Sequence, residues 1–203
     1  MDRVIFFIDG FNLYHSLDDN PNYHKYKWLN IRKFCECFIT KKQEIVKIKY
    51  FTTYAHWRPY SYKRHFLYVR ALRSANIDIT FGKFKQRDKK CHICGKVFKT
   101  HEEKQTDVNI ALHLLMSAAK DEYDIAMLIS GDSDLVPAIE TLKLNFPNKE
   151  AIIIIPIGRK ANELNATADS HRKIKEKHLK ACQFNNIIEL GNNVRLERPP
   201  TWR

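Results

Sequence analysis

Four aspartates stand where their carboxylates are able to converge on one cation. Asp9 ends the apolar run Val4-Ile5-Phe6-Phe7-Ile8. Asp132 and Asp134 follow a second apolar run, residues 125–129, across Ser130-Gly131. Asp107 stands at the start of a helical stretch, where the helix dipole favours negative charge. In open parallel sheets, sites form outside the carboxyl ends of the strands. Carboxylates crowded at strand tips repel one another unless a cation lies between them, and oxygen donors suit a hard divalent ion. Mg²⁺ or Mn²⁺ is therefore the expected ligand of Asp9, Asp107, Asp132 and Asp134. Each acid also has a plainer reading. Asp107 suits a helix cap, Asp132 and Asp134 suit a turn and an N-cap, and Asp9-Gly10 suits a turn. Their joint placement favours the metal, and Asn12 adds a polar group at the same rim.

The elements that must hold these residues follow from hydrophobic periodicity. Continuous apolar runs of strand length, buried on both faces, are typical of parallel sheets. Strands are expected at residues 4–8, 45–54, 77–81, 125–129 and 151–156, with a short edge strand at 186–190. Helices are expected at 31–39 behind the N-cap candidate Asn30, and at 61–74, 108–119, 135–145 and 168–182. Ile110, Ala111, Leu114, Leu115 and Ala118 form a clear helical stripe. Strands alternating with helices imply βαβ units. The length of 203 residues suits one domain spanning 1–203, with a basic insert containing Cys91 and Cys94 at about 83–101.

Three segments together resemble a known family. Phe7-Ile8-Asp9-Gly10-Phe11-Asn12-Leu13-Tyr14 resembles the opening motif of NYN domains, part of the PIN-like nuclease superfamily. Glu103-Lys104-Gln105-Thr106-Asp107 resembles its central Glu-Lys-x-x-Asp element, and Ser130-Gly131-Asp132-Ser133-Asp134 its Ser-Gly-Asp-Ser-Asp motif. Order and spacing agree, and the similarity is nearest to the LabA-like (DUF88) branch. The resemblance implies a PIN-like three-layer α/β/α sandwich with a central parallel sheet, and metal-dependent cleavage of RNA. It implies Asp9, Asp107, Asp132 and Asp134 as the acidic cluster, Asn12 with Ser130 or Ser133 as polar supports, and Lys104 near the scissile phosphate. The family's last element is met by residues 164–169. The chain departs from it at His171, which leaves a role for Asp169 open.

Cys91-His92-Ile93-Cys94-Gly95 has the form of a zinc knuckle. A structural zinc takes four ligands, and His101 is the nearest further candidate. The alternative is a β-hairpin that keeps the knuckle without metal. Between residues 47 and 73 aromatic and basic side chains alternate, a composition suited to stacking single-stranded bases and neutralising phosphates. Trp57, Arg58 and Tyr60, around Pro59, read as a loop that meets RNA, and Lys85 and Arg87 extend the basic surface. Phe51 and Phe66 read as core.

The bulk numbers agree with a polyanionic partner. Thirty-five lysines and arginines stand against 23 acids, a net charge of +12. No run approaches the ~18 apolar residues of a membrane span. Asp9 interrupts the N-terminal apolar stretch, which therefore does not read as a signal peptide. Five cysteines without a regular framework suit a reducing compartment, so the cytoplasm is expected. The sequence leaves the oligomeric state open, a homodimer included. The reading is a Mg²⁺- or Mn²⁺-dependent ribonuclease acting on single-stranded RNA. Its alternatives are a catalytically weak or inactive RNA-binding module and a DNA-directed nuclease. A phosphatase of the haloacid dehalogenase kind needs a second Asp two residues after the first, where this chain has Phe11.

Overall fold

The computed structural model describes residues 1–191 and 194–203. Its central strand, β1 (Asp2–Asp9), is buried from Val4 onward. Pleating sends Val4, Phe6 and Ile8 to one face and Ile5 and Phe7 to the other. Both faces are apolar, so both must be covered. The chain continues through α1 (Gly10–Asp18), α2 (Ile31–Glu36), β2 (Gln43–Thr52), α3 (Pro59–Ser74) and β3 (Asp78–Phe81). Then come β4 (Lys83–Lys90), β5 (Val97–Lys104), α4 (Thr106–Ala119), β6 (Ile125–Ile129), α5 (Val136–Asn145) and β7 (Glu150–Ile155). The last elements are α6 (Asn162–Thr167), β8 (Ser170–Lys173), α7 (Glu176–Ala181), β9 (Ile187–Glu189) and β10 (Arg195–Glu197).

Six strands form a parallel sheet in the order β3-β2-β1-β6-β7-β8. On one face, Phe6 and Ile8 pack with Trp28, Phe34, Tyr68, Leu72 and Trp202. On the other, Phe7 and Ile153 pack with Ile110, Leu114, Leu142 and Leu164. This is the expected three-layer α/β/α sandwich. From β1 the chain winds outward through β2 and β3, then returns to the other side of β1 through β6, β7 and β8. The order therefore reverses between β1 and β6, and such a switch point opens a crevice at the carboxyl ends of the two strands. Asp9 and Asp132 lie there. Among the described residues, no helix is long and apolar enough to cross a membrane.

Four local expectations are corrected. The sequence signals a turn at Asp9-Gly10, but a helix starts there, with Asp9 as its N-cap. The expected helix at 168–182 is instead the edge strand β8 followed by the short helix α7. The Ser-His-Arg-Lys sequence of β8 carries no apolar alternation, and positive charge on an edge strand discourages pairing with other chains. The strand expected near 186–190 forms, but pairs antiparallel with β10 outside the main sheet. Phe66 is 43% exposed, so it is not core. It lies against Tyr54 and Tyr62 in a surface aromatic cluster.

The insert is an antiparallel hairpin of β4 and β5. Phe84, His101 and Glu103 share one of its faces, and Phe84 packs edge-on to Phe11 of α1 with centroids 5.6 Å apart. Lys83, Lys85, Arg87, Lys89 and Lys104 alternate onto the opposite face.

Candidate metal and active site

Asp9, Asp107 and Asp132 each offer a carboxylate oxygen, and these oxygens all lie within 4.8 Å of one another. Local rules hold each one. Asp9 accepts the Asn12 N–H at 2.9 Å, capping α1, and the Ser130 hydroxyl at 3.0 Å. Ser130 in turn accepts the Asp132 N–H at 3.1 Å. Asp132 caps the next turn by accepting the Asp134 N–H at 3.1 Å. Asn12 Oδ1 accepts the Gly131 N–H at 3.1 Å, which ties the tip of β1 to the tip of β6. The capping interactions and the convergence thus coexist: a carboxylate oxygen has room for more than one contact, so Asp9 and Asp132 order the helix starts and still offer oxygens to one shared point.

Asp107 arrives from the first turn of α4. The step from β5 into α4 is a single residue, Gln105, held at φ 80°. A non-glycine residue in this left-handed region is strained, and such strain clusters at functional sites. The abrupt turn also brings Glu103 to the cluster, where its charge acts on both Asp9 and Asp107. Thr106, buried beneath, donates its hydroxyl to Glu103 Oε1. Glu103 belongs to the motif visible in the sequence, but the sequence did not single it out as a site residue.

Burial raises the Asp9 carboxyl to about 6, against the Asn12 and Ser130 hydrogen bonds, and the charges of Asp132 and Glu103 add to the rise. Asp107 is also raised to about 6, by burial first and then by Asp9, Asp132, Glu103 and Asp134. Among the described residues, no lysine, arginine or histidine forms an ion pair with Asp9, Asp107 or Asp132. Three crowded carboxylates without a protein cation are a donor set that fits a divalent metal. Asp134 is exposed and outside the three-residue group; its backbone N–H bonds Asp132, and its charge acts on Asp107.

The other sequence candidates take different places. Lys104 pairs with Glu102 at 3.1 Å, and by strand alternation both point away from Glu103. Arg87 joins the same Glu102 at 3.2 Å. Lys85 is exposed on β4 beside them. Trp57 precedes α3 and Tyr60, 78% exposed, lies in its first turn. His101 does not join Cys91 and Cys94. It pairs with Gln86 near the hairpin root, roughly 13 Å down the strand from Val97 at about 3.3 Å per residue, and stacks on Trp57 with ring centroids 3.7 Å apart. The two cysteines share the turn at the tip. Asp169 accepts the Ala151 N–H and pairs with Lys143 at 2.8 Å, at the opposite end of the sheet from the acids.

Gly10 shows how tightly the crevice is built. A Cβ there would lie 2.6 Å from the Phe51 carbonyl oxygen and 2.6 Å from the Tyr50 ring. Gly10→Ala is expected to destabilise the protein by roughly 1–3 kcal/mol through overpacking and to displace Asp9. Thermal unfolding at an unchanged midpoint would contradict this packing.

Beside Gly10 and Glu103 opens a cleft of about 610 Å³ between α1, α3 and the hairpin root.

A family model described as the NYN domain matches residues 3–176. The chain is 26% identical to a 6-hydroxy-3-succinoylpyridine 3-monooxygenase of Pseudomonas putida over 241 aligned positions, which cover 98% of this chain and 75% of the relative. Its fold resembles the crystal structure of a Vibrio parahaemolyticus protein of unknown function, with a TM-score of 0.61 and 19% identity over 86% of this chain and 94% of the other. The family match takes in all three acidic strand and helix tips, and the chain belongs to the NYN domain family, a family of nucleases.

Proposed function

We propose that this protein is a metal-dependent ribonuclease that cuts single-stranded RNA at Asp9, Asp107 and Asp132. The observation that carries this reading is the convergence of these three carboxylates, without a protein cation, at the switch point of the sheet. A Mg²⁺ or Mn²⁺ ion there would supply Lewis acidity toward a phosphoryl oxygen and lower the pKa of water. The chain's own residues do the positioning. Ser130 and the Asn12 N–H fix the two oxygens of Asp9, and Asn12 holds the β6 tip in register. Glu103 and Asp134 border the group and are assigned supporting roles, orienting water or a second ion. Lys104, Lys85 and Arg87 belong to the basic outer face of the hairpin, along which the RNA backbone is proposed to run.

Labelled single-stranded RNA and DNA, with and without Mn²⁺, test the reading. RNA should be cut only with metal; faster cutting of DNA would favour a DNA-directed nuclease, and no cutting of either a binding module. The net charge of +12 sets a further expectation. If roughly 6–10 phosphates of a single strand are contacted, affinity should fall about 300- to 10⁴-fold between 50 and 200 mM salt. A flat salt dependence would remove the basic surface from the binding platform.

One observation favours a second reading. The aromatic-lined cleft is of a size for a small heteroaromatic acid, and the Pseudomonas putida relative is named for oxidising one. Consumption of oxygen that depends on both 6-hydroxy-3-succinoylpyridine and an added two-electron reductant would support that activity here.

A further inference from the structure

We propose that the cleft beside the acidic cluster holds a single unpaired nucleotide of the strand being cut, its base among the aromatic side chains and its phosphate at Arg58 and Arg64. The inference rests on the nuclease reading for its substrate class and adds where the neighbouring nucleotide goes. The first support is position. Gly10 and Glu103 line both the cleft and the rim of the acidic cluster, so a strand crossing Asp9 and Asp107 meets the cleft mouth next.

The second support is charge. Of the wall's three carboxylates, Asp18 is answered by Lys27 and Glu102 by Arg87 and Lys104, while Glu103 stands at the mouth beside the acidic cluster. Arg58 and Arg64 line the same wall, and neither has a carboxylate partner among the described residues. The wall therefore presents two guanidinium groups without an ion pair, the kind of donor that suits a phosphate.

The third support is shape. The floor is made by buried Tyr50, Tyr68 and Trp202. At the hairpin side, His101 covers Trp57 with the rings 9° from parallel, and Phe84 meets Trp57 edge-on at 4.5 Å. Trp57 remains 38% exposed in spite of these neighbours. A cleft of 610 Å³ lies within the roughly 300–1,000 Å³ typical of small-molecule sites. A base stacked inside a duplex is unable to enter it; only a base free of its stack offers its faces to aromatic side chains. The expected substrate is therefore single-stranded beside the cut, whatever its sequence.

The test measures binding without cleavage, by fluorescence anisotropy in EDTA, with labelled oligouridylate and with a blunt RNA duplex of equal length. Arg64→Ala removes a phosphate partner. Ser61→Trp, in the first turn of α3, fills the cleft from another wall. Each should weaken oligouridylate binding by roughly tenfold or more, while duplex binding changes by less than about twofold. Unfolding midpoints close to the wild type show that the fold is intact; if one variant unfolds, the other carries the test. Unchanged oligouridylate binding, or equal losses on both RNAs, would overturn the inference. Cleavage with Mn²⁺ separates the two ideas. A wild type that cuts RNA while both variants keep its KM leaves the nuclease and removes the cleft. A wild type that never cuts, but whose oligouridylate binding falls in both variants, leaves the cleft and removes the nuclease.

Discussion

Asp9→Asn and Asp132→Asn are expected to fold, to bind RNA at least as well as the wild type, and to lose Mn²⁺-dependent cleavage by on the order of a hundredfold or more. Asparagine keeps an oxygen for the Asn12 N–H and places its amide opposite the Ser130 hydroxyl, so the cap on α1 survives. What leaves is a charge that the metal-free fold holds at a cost. The rise of Asp9 from 3.8 to about 6 corresponds to at most about 3 kcal/mol disfavouring the ionised form at neutral pH. Removing that charge should raise the unfolding midpoint in EDTA, and should also relieve repulsion toward RNA phosphates. Asp169→Asn is the control. Its carboxylate braces Lys143 and the Ala151 N–H far from the crevice, so it should lose some stability and keep its cleavage rate. Wild-type cleavage by either active-site variant, in preparations free of contaminating nuclease, would falsify this site.

The parts of the fold that were legible in the sequence are those where burial leaves a one-dimensional signature. Val4–Ile8 and Ile125–Ile129 are continuous apolar runs because helices cover both faces, and their terminal acids fall at the switch point for the same reason. Tertiary context hid the rest. Gly10 at the first position of α1 disguised a helix as a turn, yet only Gly fits against the Phe51 carbonyl. β8 is a polar edge strand, recognisable only from its pairing with β7. His101 lies ten residues from Cys91 in sequence, and the antiparallel hairpin carries it to the root while the cysteines stay at the tip. Glu103 joins the site only because one left-handed residue, Gln105, turns β5 directly into α4. No periodicity encodes that turn.

Metal binding should depend steeply on pH, and the sign follows from Asp9 and Asp107. In the metal-free fold both carboxyls are raised to about 6, above the ordinary 3.8. A carboxyl raised on folding stabilises the fold while it is protonated. That contribution is fully present below 3.8 and is lost as pH rises through 6. Metal-free protein should therefore lose stability between about pH 4 and pH 6.5 and change little from these groups above that. A divalent ion binds the ionised carboxylates, so below pH 6 it must displace protons from Asp9 and Asp107. With two such protons, affinity should rise by up to about a hundredfold per pH unit well below 6, then level off. Binding to the folded state raises stability through mass action, so the Mn²⁺-induced gain in unfolding midpoint should be negligible near pH 4.5, grow through pH 6 and reach a plateau above about pH 7. Titration calorimetry in two buffers of different ionisation enthalpy should register proton release at pH 5.5 and little at pH 7.5. Asp132→Asn should remove most of the Mn²⁺-induced gain at every pH, because it removes a ligand and leaves Asp9 and Asp107 to titrate. An equal Mn²⁺ effect at pH 5 and pH 7 would mean that the ion binds away from these carboxylates.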